Sequence, residues 1–368
     1  MKRRDFAMGL GATLAAAPVV ARAEVNWTPS RRRDISALDK AWAAAASGAT
    51  PALGQTDALL ILQDGVLVYE RYGPDHGPET RHIAWSMTKS ITHALTGIAV
   101  GEGKVDIDRP LKTPHAGDPK LTLRHLITLT DGLDWDEGDY DPAKSDATRM
   151  LYGSGRFDGA AFVAAKAQAV PPGTRWRYST GAFHLAAAEL QANLFPEART
   201  SDARRAAMAD WMDTRLFKPI GMTSALAEFD ASGTFVGGSL LYATAQDFAR
   251  FGEFYRNDGI WFGRRILPVG WVAFARKPTL QPAYGAGWWL EAKAGNSEAS
   301  LMRGAGPMDT FSAQGHNGQL IAVIPSKAAT VVRLGLMDDG DAAWTALAAW
   351  LTPIVNGLPD RPTQGTSA

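Results

Sequence analysis

Hydrophobic residues recur along this chain with two different periods, and the changes from one to the other outline its elements. Ile35 to Ala45 carries apolar side chains at helical spacing, whereas Leu59 to Gln63 and Val66 to Tyr72 are short β-prone runs joined by Asp64-Gly65, a pair suited to a tight hairpin turn. Ile91, Ala94, Leu95, Ile98 and Ala99 return to helical spacing and predict a buried helix that Gly101 ends. Ala182, Leu185, Ala186 and Leu190 predict another, as do Phe248, Phe251 and Phe254. Toward the C-terminus the strand pattern reappears in Leu320 to Ile324 and Thr330 to Leu336, around a Pro325-Ser326-Lys327 turn, and Ala342 to Val355 closes the pattern as a helix.

The first and last strands both need partners. One antiparallel sheet that combines them, covered by helices including 342–355, satisfies both ends and predicts an α+β fold. Residues from about 105 to 235 have helical and loop character and are expected to form an inserted subdomain, with a cleft where it meets the sheet. The folded unit is expected over 35–358, after a 24–34 linker and before a polar, disordered tail at 359–368.

Composition narrows the function classes. Of 368 residues 46% are hydrophobic, enough for a large core, and 38 basic residues balance 38 acidic ones, so no broad field attracts nucleic acid or an anionic membrane. Cysteine is absent, which excludes disulfides, thiol catalysis and thiolate metal sites. At the N-terminus, Lys2-Arg3-Arg4-Asp5-Phe6 precedes an Ala/Gly-rich apolar run, and Ala21-Arg22-Ala23 supplies a small-x-small cleavage pattern. Residues 1–23 are therefore expected to be a twin-arginine-type signal peptide read by the twin-arginine export machinery, leading to a periplasmic protein with no stable membrane anchor after cleavage.

The chemistry centres on Ser86-Met87-Thr88-Lys89, where an extended apolar segment gives way to the predicted helix. Residues three apart project onto one helical face, so the Lys89 amine can reach the Ser86 hydroxyl and act as its base if burial keeps the amine neutral. The unpaired amides of a first helical turn would favour the negative charge that develops in acyl transfer. Tyr178 follows a Pro172-Gly173 turn and is the candidate proton shuttle; a packing role is the alternative. Gly315-His316-Asn317-Gly318-Gln319 precedes a strand, and Gly318 would let substrate lie against that strand so that the Gln319 and Ser86 amides complete an oxyanion hole. His316 has a structural reading as well as a catalytic one. Trp288 and Trp289 are placed near the cleft, with simple packing as the alternative.

These three segments, in this order, resemble the serine β-lactamase and penicillin-recognising superfamily, in its class C-like branch: Ser-x-x-Lys, Tyr-x-Asn, and Lys-Thr-Gly or His-x-Gly. Leu121–Leu133, Gly237–Thr244 and Tyr284–Trp289 are similar too, so the likeness runs from about Leu59 to Leu336. It implies the β-lactamase/transpeptidase-like fold and a cofactor-free serine acyl hydrolase with Ser86, Lys89 and Tyr178 as catalytic residues, and Thr180, His316, Gly318 and Trp288 binding substrate. Two positions depart from the pattern. Thr180 stands where asparagine is usual and reaches less far, and His316 replaces a permanent cation that would grip a carboxylate. Thr180 leaves substrate orientation open, and His316 shifts the expectation toward a less anionic ester or amide substrate, as in family VIII carboxylesterases and 6-aminohexanoate-dimer hydrolases. A β-lactamase, a D-amino-acid peptidase and a penicillin-binding sensor without turnover are the alternatives.

Other chemistries lack their signatures. There is no His-Glu-x-x-His and no Gly-x-Ser-x-Gly elbow, so no metal or cofactor is expected at the reaction centre. Tyr255-Arg256-Asn257, the one literal Tyr-x-Asn, reads as a helix end, His125 as structural, and Asp134, Asp136, Glu137, Asp139 and Asp141 as a solvated acidic loop edging the cleft.

Overall fold

The computed structural model describes residues 25–28, 34–48, 50–138, 141, 143–293, 299–338 and 340–361. The expected signal peptide and most of the expected tail lie outside these residues. In chain order the strands are β1 (Gln55–Gln63), β2 (Val66–Tyr72), β3 (Arg81–Ile83), β4 (Leu226–Ala227), β5 (Leu241–Thr244), β6 (Ile260–Trp261), β7 (Arg264–Arg265), β8 (Trp289–Leu290), β9 (Phe311–Gly315), β10 (Gln319–Ile324) and β11 (Ala329–Leu336). The principal sheet has the order β2-β1-β11-β10-β9-β8, antiparallel throughout, so the first and last strands do share one sheet.

Strict alternation explains why its central strands read as continuous apolar runs. Leu59, Ile61, Leu320, Ala322, Ile324 and Val331 face the helices Ser36–Ala46 and Asp341–Asn356, while Leu60, Leu62, Ile321, Val323, Val332 and Leu334 face the larger core on the opposite side. That second core contains the helices Thr88–Gly101, Thr180–Leu194 and Ala245–Arg256. Tyr255 is buried near the end of the last of these and Asn257 caps it, as expected for a helix end. A small sheet, β3-β5-β4, packs beside it and leads the chain from β3 directly into Ser86. Among the described residues no helix is long and apolar enough to cross a membrane.

Three boundaries differ from expectation. β1 begins at Gln55 rather than Leu59, because polar Gln55, Thr56 and Asp57 hide the strand's start and a bulge interrupts pairing between Thr56 and Ala58. The linker residue Asn26 lies alongside β2, its amide donating to Gly65 O at 2.8 Å and its carbonyl accepting from Leu67 N at 2.9 Å. The first tail residues are tied down: Gln63 Nε2 donates to Pro359 O at 2.8 Å, Lys327 pairs with Asp360 at 2.8 Å, and Arg361 pairs with Asp64 at 2.9 Å.

One buried cation joins the sheet to the turn between β9 and β10. Arg333 on β11 has no exposure, and its guanidinium donates to Leu53 O and Gln55 O at 2.9 Å and to Asn317 O and Gly318 O at 3.0 Å. Burial draws its pKa down to about 10, opposed by Asp57, so it remains charged at neutral pH. Gly318 is the residue that yields to it: φ is +79°, and a Cβ there would stand 2.5 Å from Arg333 Nη1. The close approach expected of a substrate at Gly318 is therefore made by an arginine.

Arg333→Ala leaves several buried carbonyls without a donor and is expected to destabilise the fold by about 3 kcal/mol or more. The readout is a lower urea midpoint with an unchanged m-value; a midpoint within error of wild type would refute this role.

Candidate active site

Ser86 is presented by a constrained turn. Ala84 N donates to Leu241 O at 2.7 Å, Trp85 sits at φ +45°, and the short turn Trp85–Met87 runs straight into the Thr88–Gly101 helix. A bulky residue in the left-handed region is uncommon and is held here by its surroundings. The strain faces Ser86 into the cleft just ahead of the helix, rather than within its first turn.

Lys89 is 1% exposed and donates to Ser86 Oγ at 2.9 Å, to Thr180 Oγ1 at 3.0 Å and to Gly238 O at 2.9 Å. Every N–H of the ammonium thus has an acceptor, yet none is a carboxylate. Burial lowers its pKa to about 8, while the charge of Glu137 works the other way. An amine with that pKa is neutral often enough near physiological pH to take a hydroxyl proton.

Glu137 is the residue that sequence reasoning placed wrongly. The loop is exposed at Asp134, Asp136 and Gly138 as expected, but the Glu137 carboxylate turns inward: it accepts from Trp135 Nε1 at 2.7 Å, from Thr180 N at 2.5 Å and from Thr180 Oγ1. It thereby sits at the N-terminus of the Thr180–Leu194 helix, where the exposed amides favour an anion. Thr180 accepts from Lys89 and donates to Glu137, so its short hydroxyl links cation to anion in place of a longer amide. Nothing in the acidic run Asp134–Asp141 singles out position 137; only the fold turns it inward.

A cleft of about 420 Å³ opens beside Ser86 and is lined by Tyr178, Trp289, Arg303, Gln314, Gly315 and His316, among others. Tyr178 lies beside Lys89, with Lys89 Nζ 4.8 Å from its ring centroid and Trp289 stacked on it at 5.6 Å. His316 meets the edge of Trp85 at 5.3 Å, and burial pulls its pKa below the usual histidine value, so it is neutral at pH 7. On the far side of Tyr178 a hollow of about 490 Å³ is lined by Asp134 to Gly138 and Arg177.

Trp288 is displaced from the cleft, and a further strand lies beyond Gln319. Trp288 has no exposure and packs against Tyr255 at 4.5 Å and Phe311 at 5.1 Å, so Trp289, pointing the opposite way, is the cleft residue. Gln319 begins β10, and β9, which the sequence pattern did not reveal, stands between β10 and the outer strand β8. Its side chain is committed to Gly335, donating to the carbonyl at 2.5 Å and accepting from the amide at 3.2 Å. The glycine that touches the nucleophile's turn is Gly315, where a Cβ would lie 2.4 Å from Ala84 O. The amide next along the chain is that of His316.

The match to the Beta-lactamase family extends over residues 49–335, most of the chain. This protein belongs to the Beta-lactamase family. Its similarity to the 6-aminohexanoate-dimer hydrolase of Paenarthrobacter ureafaciens is 25% identity over 228 residues, covering 59% of this chain and 56% of that relative, or a little over half its length. A Bacillus anthracis protein provisionally named a 6-aminohexanoate-dimer hydrolase shares the fold with a TM-score of 0.64 at 20% identity, covering 83% of this chain and 80% of the other. A family VIII carboxylesterase does so with a TM-score of 0.60 at 14% identity, covering 85% and 96%. The architecture is therefore that of the β-lactamase/transpeptidase fold.

For a base of this kind, kcat/KM is expected to rise with pH as Lys89 loses its proton near its pKa of about 8, and to level off above it. Glu137→Gln removes a charge that holds that proton in place, so the rising limb should move to lower pH; a limb that stays put or moves up would refute the coupling.

Proposed function

We propose that this protein is a serine acyl hydrolase that cleaves an ester or amide through an acyl-enzyme. The supporting observation is the 2.9 Å contact between Lys89 Nζ and Ser86 Oγ, made by a lysine whose pKa is already brought down to about 8. Neutral Lys89, with Tyr178 beside it, takes the Ser86 proton as Oγ attacks the substrate carbonyl; the amides of Ser86 and His316 receive the developing oxyanion. Tyr178 and Lys89 then return a proton to the leaving group, and the same pair activates the water that releases the acyl group.

The described residues of the cleft support a substrate class. His316 is neutral, and the cationic wall residue Arg303 is already paired with Asp341 at 2.7 Å. Neither offers a free permanent charge to a carboxylate, which favours esters and amides over anionic β-lactams. Names of the relatives, a 6-aminohexanoate-dimer hydrolase and a carboxylesterase, support cleavage of an amide or an ester. The paired arginines ahead of Phe6 support export to a periplasm.

Ser86→Ala is expected to lower turnover at least about a thousandfold and to abolish covalent labelling by a fluorophosphonate, seen as loss of the mass adduct. A panel of p-nitrophenyl esters, 6-aminohexanoate dimer, a cephalosporin and a D-amino-acid amide should show its highest kcat/KM among the first two. Equal hydrolysis by wild type and Ser86→Ala would reject the assignment, and a stable adduct without turnover would mark a sensor instead.

A further inference from the structure

Asp57, the residue expelled by the bulge in β1, meets two histidines from elsewhere in the chain. His82 lies on β3, and His76 lies in the loop between β2 and β3, which is fastened to β1 by Gly73 N donating to Asp57 O at 2.8 Å. One donor atom from each of Asp57, His76 and His82 lies within 4.8 Å of the others, and the two imidazoles are stacked with centroids 5.3 Å apart. Bulges re-aim a side chain that regular pairing would direct elsewhere.

The distances decide between a hydrogen-bonded cluster and a ligand set. His76 Nε2 is 3.6 Å and His82 Nδ1 is 4.0 Å from Asp57 Oδ2, both too long for hydrogen bonds. They are close to the separation of about 3.3–3.5 Å between two donors on a four-coordinate ion with bonds of about 2.0–2.1 Å. The outer contacts are those that orient metal ligands. His76 Nδ1 lies 2.7 Å from Pro74 O, which fixes the proton on Nδ1 and leaves Nε2 as the acceptor facing the carboxylate. Asp57 Oδ1 accepts from Gln55 Nε2 at 2.6 Å, leaving Oδ2 for the histidines. His82 is 9% exposed and turns Nδ1 toward Asp57 Oδ2, so it joins the cluster with little access to water.

We propose that Asp57, His76 and His82 form a binding site for one divalent transition-metal ion, with zinc the best fit to two imidazoles and a carboxylate in a small, mostly buried site. The half-buried His76 leaves the fourth position toward solvent. Bound there, the ion ties β1, the loop after β2 and β3 together four residues before Ser86, so it braces the strand that delivers the nucleophile. It takes no part in the Ser86 chemistry, and the site stands or falls apart from the hydrolase reading.

The test uses the full chain, stripped with a chelator, dialysed and titrated with Zn²⁺ by calorimetry and by thermal unfolding. Wild type should bind about one equivalent and unfold at a higher temperature when loaded. His76→Ala, at a position exposed enough to be tolerated, should weaken binding by at least about tenfold and lose the thermal gain, and Asp57→Asn should act in the same direction. Absence of stoichiometric binding by wild type would overturn the proposal. So would full affinity in both variants, which would place the ion on other groups.

Discussion

A lysine ammonium buried with only neutral oxygens around it is the constraint on which this structure turns. Removing Lys89 from water disfavours its charge, and the oxygens of Ser86, Thr180 and Gly238 compensate only in part. Those oxygens come from three distant stretches of chain, so the helix that carries Lys89, the helix that begins at Thr180 and the loop at Gly238 must meet before the lysine can be accommodated. Glu137 supplies the missing anion at one remove. Because it acts through Thr180, it moderates the pKa without fixing the proton permanently on the amine.

The opposite wall of the cleft rests on a second buried cation of a different kind. Arg333 is bonded to backbone carbonyls of both β1 and the turn after β9, and this holds the end of β9 against Ser86. Gly315 allows that approach and Gly318 admits the guanidinium, so two glycines of one short motif serve two different neighbours. Lysine and arginine divide the work according to chemistry: the amine can be brought to a useful pKa by burial, whereas the guanidinium keeps its charge and its fixed fork of donors.

The periodic elements were legible because their periods come from burial on one or two faces. The strands from Leu320 and Thr330, the helix after Ser86 and the helix 341–356 all appear where the apolar pattern puts them. Elements that polar residues interrupt were not legible. β9, Phe311–Gly315, has polar Ser312 and Gln314 and two glycine-rich neighbours, and it is absent from the sequence reading. Between Trp288 and Trp289 the side-chain period of two made the choice, but the phase of that period depends on which face β9 covers.

Sequence by itself determined the local chemistry of this protein: a serine and a lysine three apart cannot avoid one another on a helical turn, and apolar runs of the right length must form a two-sided sheet. Only the tertiary structure decided that Glu137 turns inward from its acidic loop, which tryptophan faces the cleft, and which glycine meets the nucleophile's turn. Each of those outcomes depends on groups brought together from far along the chain, and sequence spacing encodes distance only as far as a single helix or hairpin reaches.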